Sequence, residues 1–113
     1  MAADAFVADT PLRALTEWER EVVSALAPAH ALEAFRVHSH CPCGCASISF
    51  VPKLREHALL AEAETEDADG VPIWFLLFGS DDGSELDELE IQRADGTPLR
   101  DLPDPHALRP KAR

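Results

Sequence analysis

Basic residues are scarce in this sequence: ten lysines and arginines stand against 21 aspartates and glutamates, a formal net charge of −11. Nucleic-acid affinity rests on Lys and Arg displacing counterions from phosphates, so this balance excludes a phosphate-binding surface. The nearest thing to a basic patch is the tail, with Arg100, Arg109, Lys111 and Arg113. The same field repels an anionic membrane and steers in a basic protein partner. No apolar run approaches the ~20 residues of a membrane helix. Met1-Ala2-Ala3-Asp4 has neither the cationic start nor the apolar core of a signal peptide. A Gly-rich phosphate loop and a Gly-x-Ser-x-Gly elbow are also missing. Counting back from Gly70, Gly83 or Gly96 puts Thr65, Phe78 or Ile91 where a calcium loop needs its first aspartate, so the acidic turns read as hairpin chemistry.

Cysteine is short by one for a paired framework. There are three, and without an export signal an odd count reads as thiols or ligands in a cytoplasmic protein. All three fall within five residues of His38-Ser39-His40-Cys41-Pro42-Cys43-Gly44-Cys45, behind two of the five histidines. Proline fixes one backbone angle and glycine permits a positive one, so the segment is built to bend.

What is present is enough for one domain, 1–113, since 46% of 113 residues are hydrophobic and a chain of this size buries roughly 65% of its unfolded surface. Residues 1–11 show no sustained period and read as a loose arm. Thr16-Glu17-Trp18-Glu19 fits a capping box. Leu15, Trp18, Val22 and Leu26 then recur at helical spacing, until Pro28 stops the helix. Ala29 to Phe35 offers a short second helix. Strands are expected from Arg36 to His40, from Ser47 to Val51, and from Ala58 to Glu64, where Ala, Leu and Glu also permit helix. The run Val71 to Phe78, with Pro72 at its entrance, is expected to be a central strand covered on both faces. A last strand runs from Leu86 to near Arg93. Residues 99–113, with Pro103, Pro105 and Pro110, form a surface tail pegged by Leu99 and Leu102. Helices first and strands after give α+β: an N-terminal helix, or two, packed on a mostly antiparallel sheet of four to five strands.

The chain resembles a group of small bacterial proteins built around a Cys-x-Cys-Gly-Cys-x-Ser segment. The matching residues are Cys41, Cys43, Gly44, Cys45 and Ser47, then Leu86 to Ile91, then Leu-Pro-Asp-Pro at 102–105. That group has no established activity, and the resemblance implies no catalytic residue.

The cysteine stretch has three readings. Under the first, the thiols are small side chains packed in a corner between two strands, and no cofactor is expected. Under the second, Cys41, Cys43 and Cys45 ligate zinc or copper(I), completed by His40, His38 or His57. The third is a thiol enzyme, but His40 and Cys41 are adjacent on an extended chain and point to opposite faces. Composition therefore supports a non-enzymatic binding or accessory protein for a basic partner, with a metal-binding domain as the alternative. A sheet face left apolar would favour a homodimer.

Overall fold

The computed structural model describes residues 6–42, 45–51 and 58–111. In chain order they form β1 (Val7–Ala14), α1 (Glu17–Leu26), β2 (Arg36–His40), β3 (Ile48–Ser49), β4 (Ala58–Glu66), β5 (Pro72–Gly79), β6 (Leu86–Arg93), a 3-10 turn (Pro105–Ala107) and β7 (Arg109–Pro110). The strands make one seven-stranded sheet in the order β1-β2-β3-β6-β5-β4-β7, every pair antiparallel.

The α+β class stands, but the expected four to five strands become seven. The two additions, β1 and β7, are the sheet's edges, and each carries a proline, Pro11 or Pro110. Proline lacks the N–H that an inner ladder requires, yet an edge strand can turn that position outward. The loose arm is thus a strand from Val7 onward. The second helix is also corrected: Ala29 to Phe35 is a run of turns and coil. Seven residues after Pro28 are too few to nucleate a helix cheaply. They are fixed instead by buried Leu32, by Phe35 stacked on Phe50 at 5.8 Å, and by His30, whose Nε2 lies 2.9 Å from the Gly83 carbonyl.

The α-helix begins where the capping box put it. The Glu19 N–H donates to Thr16 Oγ1 at 3.1 Å, and the Glu19 carboxylate accepts from the Thr16 N–H at 2.8 Å. The same carboxylate takes both terminal nitrogens of Arg13, at 2.8 and 2.9 Å, so the cap also ties α1 to β1. Val22 and Val23 are fully buried, each contributing about 1.5–3 kcal/mol over an exposed side chain. Trp18 meets Phe75 with ring centroids 6.3 Å apart.

Segment 58–66 is strand despite its helix-forming composition, because it is paired on both sides, to β5 and to β7. Tertiary context overrides propensity here. In β5, buried and half-buried residues alternate strictly. Ile73, Phe75 and Leu77 join Ala63, Leu89, Ile91 and the helix in one core. Trp74, Leu76 and Phe78 face the other way and are half-buried, so the core face of this central strand is covered more completely than the other. Gly79 ends β5 where a Cβ would strike the Glu85 carbonyl and Leu60.

Candidate functional site

The cysteine stretch lies in the chain between β2 and β3, which pair antiparallel. His40 is the register partner of Ile48, and the Cys41 N–H donates to the Ser47 carbonyl at 3.0 Å. Ala46 then takes a left-handed backbone (φ 69°), which moves the chain off the β6 ladder. Ser47 repairs the gap with its side chain. Its Oγ accepts the Ile91 N–H at 2.8 Å and donates to the Ile91 carbonyl at 3.2 Å, while the Cys45 thiol donates to the Ser47 Oγ at 3.2 Å.

Cys41 and Cys45 are buried, and among the described residues no disulfide joins them. They border different hollows. Cys41 lines a cavity of about 500 Å3 beside Trp18, His40 and Leu102, whereas Cys45 lines one of about 370 Å3 beside Trp74, Gln92 and Thr97. His40 Nδ1 lies 3.1 Å from Asp9 Oδ2, and His38 is a half-buried residue of β2. Cys43 and His57 lie outside the described residues. Among the described residues no group of three or more His, Cys, Asp or Glu side chains can hold a metal ion. The zinc or copper cofactor is thereby corrected for the described residues; of the ligands expected for it, Cys41, Cys43, Cys45, His38 and His40, all but Cys43 are described. A chelate needs its donors around one point, and here the thiols face separate hollows while Asp9 engages the imidazole of His40.

The sheet's second face is more informative, and its composition follows from register. Directly opposed residues of antiparallel strands share a face, so three rows cross it. One runs Leu59, Phe78, Glu88, Ser49; the next Glu62, Leu76, Glu90; the third Glu64, Trp74, Gln92. An apolar stripe of Trp74, Leu76 and Phe78 is therefore bordered by carboxylates on both neighbouring strands. On the β4 side, Glu64 accepts the Trp74 indole N–H at 3.0 Å and Lys111 Nζ at 3.2 Å, and Arg109 pairs with Glu66. Lys111 first, then Trp74, hold the Glu64 carboxyl below its ordinary range. On the β6 side burial, with Glu90 and Asp87 adding like charge, pushes the Glu88 carboxyl up to about 7. Gln92 donates to Glu90. The hollow beside Cys45 opens at the Trp74 end of the stripe.

Arg93 fixes that end. Its five N–H donors are consumed by Asp67, Asp69 and Asp95 at 2.6 to 3.0 Å, with its side chain only 3% exposed. The arginine is held more basic than usual, chiefly by its hydrogen bonds to Asp69 and Asp95. Burial pushes the Asp67 carboxyl up, but the backbone N–H groups of Arg100 and Ala68 and the Arg93 guanidinium outweigh it and hold it at about 2. This cluster joins the β4–β5 turn, the end of β6 and the tail. Sequence reasoning took the aspartates as hairpin residues and missed their common cation. The signal was available in Asp67, Asp69, Arg93 and Asp95 flanking turns that the β5 hairpins bring to one end of the sheet.

Residues 12–103 match the family described as Domain of unknown function (DUF6984). The chain belongs to this family. The match covers the helix, β2 to β6 and the Arg93 cluster, and so assigns both faces of the sheet to the DUF6984 domain without singling out the Cys-x-Cys-Gly-Cys-x-Ser segment. No curated protein matches the chain, and no solved structure does.

Proposed function

We propose that this DUF6984 chain is a non-enzymatic binding or accessory domain of the cytoplasm that meets a basic protein partner through the second face of its sheet. One observation carries the reading: Trp74, Leu76 and Phe78 form a half-buried apolar stripe between Glu62 and Glu64 on one strand and Glu88 and Glu90 on the other. Interfaces are anchored by aromatic and aliphatic groups, and charge of one sign around them selects and steers a partner of the other. The net charge of −11 acts in the same direction at longer range.

The test is affinity isolation from native lysate at low and high salt, with the wild-type chain beside a Glu62→Lys, Leu76→Ser variant that changes this face and leaves the core residues alone. A basic protein recovered by the wild type at low salt, and lost both at high salt and with the variant, is the expected outcome. Recovery of the same protein by the variant would sink the proposal.

A further inference from the structure

The helix side of the sheet carries a hollow that the proposed interface does not use. This cavity of about 500 Å3 lies where the start of α1 meets β2, β3 and the tail, with Trp18, Cys41, Ala46, Ile48 and Leu102 as apolar walls and His40 beside them. Its size is that of a small-molecule site. Leu102 is 59% exposed, and Val7, directly across from His40 on β1, is 47% exposed, so the mouth is apolar as well.

Most polar groups of the wall are already engaged. The Trp18 indole N–H donates to the Pro103 carbonyl at 2.7 Å, and Ser47 Oγ serves Ile91. Both oxygens of the Glu19 carboxylate, which also lines the cavity, accept from Arg13. His40 differs. Its Nδ1 lies 3.1 Å from Asp9 Oδ2, whereas its Nε2 makes no hydrogen bond among the described residues. A neutral imidazole whose Nδ1–H donates to a carboxylate presents a bare lone pair at Nε2, an acceptor in want of a donor. Charge narrows the class of ligand further. An anion would meet Asp9 and Glu19, and a cation finds neither carboxylate open, because Arg13 and His40 engage them.

We propose that this cavity binds a small uncharged phenol, its ring against Trp18, Ile48 and Leu102 and its hydroxyl donating to His40 Nε2. Asp9 is the positioning residue, because it fixes which imidazole nitrogen is left to accept. Ile48 is in register with Leu89 and Leu77 of the core face, so the site lies across the sheet from Trp74, Leu76 and Phe78 and stands apart from the basic-partner reading.

The test titrates p-cresol and its methyl ether, p-methylanisole, into the full chain at about pH 8, where a phenol keeps its proton, and follows the indole N–H signals of Trp18 and Trp74 by NMR. The expected result is that p-cresol binds about threefold to tenfold tighter than the ether, the equivalent of one hydrogen bond, and moves the Trp18 signal while Trp74 stays in place. The His40 side chain is 40% exposed, so His40→Phe leaves the core alone and should abolish the preference for the phenol. Asp9→Asn can donate to Nδ1 and make Nε2 a donor, and should move the preference toward the ether. Equal binding of the two compounds by the wild type would overturn the proposal, as would a preference that survives both substitutions, shifts centred on Trp74, or no saturation by either compound up to its solubility limit.

Discussion

Ser47 does with a hydroxyl what a strand residue does with its backbone. The Ile91 N–H and carbonyl both lie on a central strand where water cannot serve them, and the serine oxygen answers both. Ser47→Ala leaves two buried backbone groups unsatisfied, and should lower unfolding free energy by about 1–3 kcal/mol, read as a lower urea midpoint with an unchanged slope. Glu88 makes a second prediction. Its folded value of about 7 lies above the ordinary 4.5, so below pH 4.5 both states hold the proton and no penalty exists. Between 4.5 and 7 only the folded state holds it, and stability falls as pH rises, reaching its full loss above 7. After solvent screening the effect is on the order of 1–2 kcal/mol. Thermal melts of Glu88→Gln should therefore gain on the wild type from pH 5 to pH 8. A constant difference would show that Glu88 titrates normally. At this scale the sequence was partly readable. Thr16 and Glu19 announced their cap because both partners sit within one turn, whereas Ser47 could not be paired with Ile91 across 44 residues by any local rule.

Among elements, the turns are joined rather than independent. Asp67 and Asp69 belong to the β4–β5 turn and Asp95 to the turn after β6, yet all three meet on Arg93. Arg93→Met strips the common cation from a buried carboxylate and should destabilise the chain far more than Arg109→Met, whose pair with Glu66 is exposed. Because the folded Asp67 value is depressed to about 2 from 3.8, its contribution is present above pH 3.8 and lost as pH falls through about 2. Asp67→Asn should accordingly flatten the acid limb of stability between those values, and a limb as steep as that of the wild type would count against the cluster. Element type was legible for α1, β2, β5 and β6, where capping, alternation or a long apolar run agreed with the packing. It failed at β1 and β7, because Pro11 and Pro110 argue against strand everywhere except at a sheet's edge, and position within a sheet is a property of the assembled fold. At β4 the composition was ambiguous, and only pairing on both sides decided it.

Over the whole molecule, the excess of acid is unevenly used. Part of it is folded into structure around Arg93, part is answered by Arg109 and Lys111 along β4, and part is buried on the second face in Glu88 and Glu90. The face was hidden in the sequence because its members come from β4, β5 and β6, and only register brings Glu62, Leu76 and Glu90 into one line. The cysteines drew attention by their density, but density along the chain is not convergence in space, and Cys41 and Cys45 border different hollows.

The prolines of the two outermost strands have a further effect, on what the sheet refuses to do. An antiparallel sheet can in principle recruit strands from its neighbours without limit, which is the route to fibrils. Pro11 at one border and Pro110 at the other withhold a donor where an incoming strand would need one. They act as stops at both ends of the row. The double variant Pro11→Thr, Pro110→Thr should fold to the same core yet bind thioflavin T on prolonged incubation at high concentration, while the wild type stays dispersed under the same conditions.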